Sequence, residues 1–305
     1  TLPAHESKLH GDTMACMEAS DQGEIDFALC LGGNLIGANP DTKFAMTAMS
    51  KISLVSYMST TLNQSHFLGR GKETIVLPVL ARDEEAQVTT QESMFNFVRR
   101  SEGGTARHSG PRSEVDIIVE IARKGVGIVD WDQFRSHDAI RKLISLCMEG
   151  FDAQKEHHIP GRTFHEPCFA TPNGRAQAHT ITIKVPKTIT ENQLRLMTIR
   201  SEGQFNTVVY EEEDVFRGQT RRDIVMMHHA DIDRLGLHQD EMVTVQGVKG
   251  KMRVVVRCVD IAQGNCAMYY PEVNILLSHR VDKESRTPLF KGEVIQIFSG
   301  VDTSQ

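Results

Sequence analysis

The sequence has no apolar run approaching the ~18 residues a membrane-crossing helix requires, and no charged-then-apolar leader before a small-residue cleavage site. A soluble, cytoplasmic protein with no membrane span is the expectation. Positive charge is also in short supply: 34 Lys and Arg stand against 40 Asp and Glu, a net charge of −6. That balance argues against a basic nucleic-acid face and against nucleic acid as the main partner. Paired cysteines are lacking too. Cys16, Cys30, Cys147, Cys168, Cys258 and Cys266 are scattered with no C-x-x-C between them, which excludes a zinc ribbon, a dithiol redox motif or an iron–sulfur loop and leaves buried or idle thiols. The nearest approach to a metal motif is His157-His158 with His165 and Cys168, in a Pro/Gly-bounded loop without a second regular pair, so no metal ligands are assigned. No G-x-S-x-G elbow, P-loop or H-E-x-x-H is present, and no catalytic residue is nominated.

What is there suffices for about two domains with cores of their own, since 305 residues carry 40% hydrophobic positions. Residues 26–31 form a short apolar run meeting Gly32-Gly33-Asn34, and a helical pattern follows Asn39-Pro40-Asp41 with Phe44, Ala45, Ala48 and Met49 on one face. Runs at Ile52–Tyr57 and Thr74–Leu80 continue an α/β alternation with a parallel sheet, Pro78 marking the exit of the third strand. Residues 82–112 read as a long polar excursion on the ligand-facing side. Two helices follow, from Ser113-Glu114 to Gly125 and from Trp131 to Met148, whose apolar faces are expected to be core. A loop-rich stretch over 150–180 places a domain boundary near residue 185. Beyond it come short strands at His179–Val185, Leu194–Arg200, Ile224–His228, Met242–Val245, Met252–Cys258, Cys266–Tyr270 and Glu293–Phe298, with one helix over Ala230–Leu237, a pattern that suggests a closed barrel. His228 and His229 end a strand-like run, where neighbours point to opposite faces; a structural or ligand-stacking role fits them better than a shared metal.

Gly32-Gly33-x-x-x-Gly37 is not a dinucleotide fingerprint. G-x-G-x-x-G needs glycine at position 34, which is Asn, and the next strand ends near Ser56 and Ser59 where an acid should hold a ribose. A nicotinamide enzyme is disfavoured. What is left is a Gly-Gly-Asn turn at the carboxyl end of a strand, where open α/β sheets bind ligands, with a plain tight turn as the alternative.

A string of segments then acquires a joint meaning. Gly-Glu-Ile-Asp at 23–26, Leu-Gly-Gly-Asn-Leu at 31–35, Asn39-Pro40-Asp41, Thr-Thr-Leu-Asn-Gln-Ser-His at 60–66 and Ile-Val-Leu-Pro at 75–78 occur in order. They are followed by Arg-Ser-Glu-Val at 112–115, Thr-Pro-Asn-Gly-Arg-Ala at 171–176 and Met-Thr-Ile-Arg-Ser-Glu-Gly-Gln-Phe-Asn-Thr at 197–207. Ala-Met-Tyr-Tyr-Pro-Glu-Val-Asn at 267–274 and Ser-Arg-Thr-Pro-Leu-Phe-Lys at 285–291 complete the series. In order and spacing the chain resembles the C-terminal portion of a molybdopterin oxidoreductase of the dimethyl-sulfoxide-reductase superfamily, and most nearly a formate-dehydrogenase-like alpha subunit.

The resemblance implies a Rossmann-like α/β domain over 1–185 followed by an all-β double-psi β-barrel over 186–305. It implies a cofactor, molybdenum bis(molybdopterin guanine dinucleotide), here bis-MGD. The molybdenum ligand, and any iron–sulfur cluster, would lie in N-terminal domains outside this chain. Those domains, a small-molecule substrate and an electron-transfer subunit are the partners it implies. Gly33, Asn34 and Asn39 would line the nucleotide end of one pterin dinucleotide; Ser59, Thr60 and His66 would contact phosphate or guanine. The family often has an acid for the guanine near the end of that strand, and here Ser56 stands near it. Arg200, Ser201, Gln204, Asn206 and Thr207 would contact phosphates and pterin, with Asn274 and Lys291 completing the surface.

Plainer roles compete with each assignment: Asn34 and Asn39 as turn residues, Ser59 and Thr60 as helix caps, Lys291 as a solvated edge-strand lysine, and one of Tyr269 and Tyr270 as core. The opening Thr1-Leu2-Pro3-Ala4 fits either a longer chain whose earlier part is absent or simple removal of the initiator Met. The competing functional class is a non-catalytic ligand-binding or subunit-assembly module on the same scaffold.

Overall fold

The structure, a computed structural model, describes residues 11–159, 168–182, 188–209 and 211–300. Its contacts divide the chain into two compact units: Thr1–Tyr57, Leu62–Val76 and Pro186–Gln305 form the first, and Met58–Thr61 with Leu77–Val185 form the second.

The α/β elements begin with α1 (Thr13–Gln22), capped by the Asp12 carboxylate on the Ala15 N–H and closed by Gly23 in the left-handed region. β1 (Phe27–Leu31) leads through Gly32 and Gly33, both at positive φ, into the single turn α2 (Leu35–Ala38). Asp41 accepts from the Phe44 N–H to start α3 (Thr42–Lys51), and β2 (Leu54–Ser59), α4 (Ser65–Leu68) and β3 (Glu73–Pro78) follow. The strands form a parallel sheet in the order β1-β2-β3. In the first unit, Ala45, Ala48 and Met49 of α3 pack with Met17, Ile36, Ile52, Val55 and Tyr57 as one core. The two alanines allow close helix approach, and the large side chains each contribute roughly 1.5–3 kcal/mol by leaving water.

The second unit carries β4 (Thr89–Glu92), β5 (Phe97–Ser101), α5 (Glu114–Gly125), α6 (His137–Cys147) and β6 (His157–His158), with a 3₁₀ turn at Trp131–Arg135. The polar excursion therefore contains an antiparallel sheet, β4-β5-β6, whose third strand comes from the loop-rich stretch. The helix expected over 131–148 is broken at Ser136, which caps α6 by accepting from the Ala139 N–H. The expected core faces of these two helices are a correction as well. Among the described residues α5 buries only Ile117 and Val119 and α6 only Arg141, while Ile118, Ile121, Leu143 and Leu146 are exposed. Helical spacing reports which residues share a face, not whether anything covers it.

The remaining strands are β7 (Gln193–Ile199), β8 (Ile224–Met227), β9 (Met242–Gln246), β10 (Lys251–Cys258), β11 (Asn265–Tyr269) and β12 (Lys291–Ser299), with α7 (His229–Arg234) after β8. They close into a double-psi β-barrel in the order β10-β8-β11-β7-β12-β9. Two parallel pairings, β7 with β11 and β8 with β10, interlock among antiparallel ones. Alternate residues fill the interior: Leu194 and Leu196, Val243 and Val245, Val254 and Val256, Ile295 and Ile297. β8 is buried on both faces, which explains its unbroken Ile-Val-Met-Met. Residues 179–182 form no strand, and the rest of the strand expected at His179–Val185 lies outside the described residues, as does His165.

In the first unit the α/β elements and the barrel are tied by polar contacts. The Asn274 amide donates to the carbonyls of Gly37 and Asn39, the Asp41 N–H donates to the Asn274 carbonyl, and the Tyr270 hydroxyl donates to the Ala38 carbonyl. The Asp41 carboxylate meets His279 Nδ1 at 2.8 Å and Lys249 Nζ at 3.3 Å, and the His279 ring stacks on Phe44.

Candidate cofactor-binding site

Asn34 is buried and fully engaged. Its Oδ1 accepts from the Gly37 N–H and the Ser65 hydroxyl, and its Nδ2 donates to the Thr207 carbonyl at 3.0 Å. The Thr207 hydroxyl returns a bond to the Asn34 carbonyl. Two segments far apart in sequence thus meet, and Gly33, Asn34, Asn206 and Thr207 line one cavity of about 640 Å³ with the apolar Phe27, Leu29 and Leu31. Gly37 has no room for a side chain: a Cβ there would lie 2.4 Å from the Asn34 and Gln64 amide nitrogens. Asn39 turns inward to bond the Leu35 carbonyl, so its side chain closes α2. His66 is buried edge-on to Tyr57; its Nδ1 accepts from the Asn63 N–H, which places the proton on Nε2, and burial pulls its pKa down. That Nε2 and the Asn274 Oδ1 are buried with no protein partner.

In the barrel, the loop after β7 is held from beneath by a charged network. Arg222, 4% exposed, donates Nε to Glu272 Oε1 at 2.6 Å and further bonds to the Ser201 hydroxyl, Gln204 Oε1 and the Tyr270 carbonyl. Gln204 in turn bonds the Ser201 N–H and the carbonyls of Asn206 and Tyr270. The Asp214 carboxylate accepts from the Tyr269 hydroxyl, the Arg217 guanidinium and the Glu202 N–H; although burial raises its pKa, these bonds outweigh it and the net shift is downward. Tyr269 is the core member of the tyrosine pair, its own pKa raised by burial and by Asp214. Ser201 and Gln204 are spent on the protein's own network, and Asn206 Oδ1 caps the N–H groups of Val208 and Val209. Arg200 remains exposed, bonded to the Phe205 carbonyl at 3.2 Å and seated over the Tyr270 ring. Lys291 is exposed at the first residue of β12.

Within the second unit, Thr60 lines a cavity of about 470 Å³ with Glu85, Thr89, Glu114, His137 and Arg141. Ser59, at the end of β2, accepts from the Val79 N–H through its carbonyl and is half-buried. Three polar atoms in the cavity's lining residues are buried without a protein partner: Thr89 Oγ1, His137 Nε2 and Arg141 Nε. The Arg141 Nη1 and the His137 Nδ1 both meet the Val88 carbonyl, which gathers these groups on one side. Glu114, with its pKa raised by burial and by the charge of Glu85, supplies acid to the same cavity.

Sequence reasoning missed Arg222, Glu272, Asp214 and the acids of this cavity. Arg222 shows only as the second of two arginines before an apolar strand, and Glu114 only as a first-turn helix residue; no spacing rule joins either to its partners. The histidine pair departs from expectation as well. His228 leaves the strand to cap α7, so the His228 and His229 rings face each other at 4.1 Å instead of opposing. Among the described residues no group of three or more His, Cys, Asp or Glu side chains could hold a metal, and the cysteines are unpaired thiols, burial raising Cys30 to about 11. No helix among the described residues is long and apolar enough to cross a membrane.

Two donors, an acceptor and a hydroxyl-bearing cavity with acids nearby have the right chemistry for a nucleotide-bearing ligand. A guanine presents N–H donors to carboxylates and acceptors to Arg or His, and phosphates suit an exposed guanidinium. Comparison with known proteins bears on this. Residues 194–293 match the model of the molydopterin dinucleotide binding domain. The chain is 31% identical over 326 residues to an uncharacterized oxidoreductase of Mycobacterium tuberculosis, covering 95% of this chain and 41% of that protein. It is 28% identical over 294 residues to protein YdeP of Escherichia coli, covering 87% of this chain and 38% of that one. Acetylene hydratase from Pelobacter acetylenicus superposes over 94% of this chain and 46% of its own with a TM-score of 0.69 at 15% identity, a likeness of fold alone. The chain thus spans about two-fifths of the length of these curated relatives.

Proposed function

We propose that the chain, whose residues 194–293 match the model of the molydopterin dinucleotide binding domain, is part of a dimethyl-sulfoxide-reductase-like oxidoreductase and holds bis-MGD for a two-electron oxidation or reduction. The observation that carries the reading is the hydrogen-bonded 200–207 loop that leaves Arg200 exposed. When bound, the molybdenum centre supplies the redox chemistry, formate to carbon dioxide being the reaction we favour, with the molybdenum ligand on a part of the polypeptide outside this chain.

The residues here bind and orient. The exposed Arg200 guanidinium would hold a phosphate of the cofactor. Gly33 offers an open backbone N–H beside the start of α2, the Asn274 Oδ1 and the His66 Nε2 each gain the partner they lack in the protein, and Lys291 adds charge at the rim. Within the second unit, Glu85 and Glu114 would accept from a guanine's N–H edge while Arg141 or His137 meets its acceptors. Thr60 and Ser59 stand at the same strand end. The other domains of the polypeptide, a small-molecule substrate and an electron-transfer subunit are the partners this reading requires, and a cytoplasmic location suits it; an iron–sulfur cluster would sit in those other domains.

Cofactor retention in variants tests the reading. Arg200→Ala and Glu114→Gln, each made in the natural polypeptide, are expected to lower pterin content per protein tenfold or more at unchanged folding. Full retention in both would overturn the site.

A further inference from the structure

The resemblance assigns no role to Arg222, yet it is the hub of the loop's network. Its guanidinium lies over the Tyr269 ring at 4.9 Å, and it meets Glu272 through both Nε and Nη2. The Nη1 donates to the Ser201 hydroxyl, and Nη2 reaches Gln204 Oε1 at 3.2 Å and the Tyr270 carbonyl at 2.7 Å. One planar group thus fixes both ends of the 201–204 turn and the carbonyl that closes it, while Glu272 neutralises its charge. Arg222 therefore contributes shape and not net attraction; the attraction belongs to Arg200, whose backbone carbonyl is tied to Arg217 and whose ring contact is Tyr270, next to the carbonyl Arg222 holds.

We propose that Arg222 is a positioning residue: it locks the 200–207 loop into its ligand-ready shape before a phosphate-bearing ligand arrives, so that the ligand does not have to order the loop itself. This rests on the cofactor reading for its functional consequence, but the ordering of the loop does not. A lysine, a single point of three donors, cannot reach Glu272, Ser201, Gln204 and the Tyr270 carbonyl together.

The test pairs two readouts on Arg222→Lys, Arg222→Met and Glu272→Gln. Hydrogen exchange is measured on the 305-residue chain without ligand, and pterin content and its dissociation rate on the natural polypeptide. Expected is at least tenfold faster exchange at the Ser201, Glu202 and Gln204 amides in Arg222→Met, an intermediate effect in Arg222→Lys, and unchanged exchange in β7 to β12. Pterin dissociation should quicken in the same order, whereas Arg200→Ala, which within the loop removes a bond to the Phe205 carbonyl only, should lose pterin with exchange at the Ser201, Glu202 and Gln204 amides unchanged. Unchanged loop exchange in the methionine and lysine variants overturns the proposal, and so does acceleration spread evenly over the barrel strands. Should Arg222→Met not fold, the lysine and Glu272→Gln variants decide by the same criteria. Absence of pterin from the unsubstituted protein would sink the cofactor reading while exchange still decides the positioning role.

Discussion

The barrel and the second unit treat buried polarity in opposite ways. Around the 200–207 loop, Arg222, Glu272, Gln204 and Ser201 bond one another and the nearby backbone, Asp214 holds the Tyr269 hydroxyl and the Glu202 N–H, and the interior beside them is filled by alternating Leu, Val and Ile. In the second unit the apolar cluster is small, Met58, Val79 and Ile117 with Leu77 against it, and three residues lining its cavity each keep a buried polar atom without a partner. Its helices expose Ile118, Ile121, Leu143 and Leu146. A satisfied network holds a shape, whereas unsatisfied groups around a cavity are chemistry waiting for a ligand, since a lone buried donor or acceptor costs about 1–3 kcal/mol.

The contrast can be broken by mutation, beginning with packing. Leu196→Ala should cost about 2–5 kcal/mol in urea unfolding, because it empties a fully buried barrel position, whereas Leu146→Ala, at an 83% exposed position, should stay within about 0.5 kcal/mol. Equal losses would erase the difference between the regions. Gly37→Ala comes next: the Cβ collides with the Asn34 and Gln64 amides, and a loss of about 1–3 kcal/mol should appear with faster exchange at the residue-37 amide, whose N–H the Asn34 Oδ1 accepts. A silent Gly37→Ala would mean that contact is slack.

The unsatisfied groups predict the reverse sign. Thr89→Val removes a partnerless hydroxyl at nearly constant volume and should raise stability by about 1 kcal/mol without ligand, while weakening pterin retention. The smallest expected effect is electrostatic. Glu114 has a folded-state pKa above its unfolded value, so the folded state binds more protons and stability falls as pH rises from the unfolded pKa through the folded one. Glu114→Gln should therefore flatten the stability profile in that window and raise the thermal midpoint above it, with no change at lower pH.

Much of this was legible in the residues. Period-two runs located the barrel strands because each has one face in a core, and the Gly-Gly-Asn turn announced a strand end because only glycine takes those positive φ values freely. The order of the segments pointed to the family. What stayed hidden was partnership at long range. Nothing in the sequence says that Arg222 answers Glu272 fifty residues later or that Asn34 meets Thr207, and Ser201 and Gln204, expected to face the ligand, spend their polar atoms on the network. The sheet β4-β5-β6 was missed because its strands are short and polar, and the break at Ser136 because the apolar pattern runs through it.

The central claim is that these residues hold a molybdenum pterin dinucleotide. It is tested most directly by molybdenum and pterin content, with guanosine monophosphate released on hydrolysis, in the natural polypeptide purified from cells that make the cofactor. The account predicts two pterins and two guanosine monophosphates for each molybdenum; protein from such cells carrying neither metal nor pterin would contradict it.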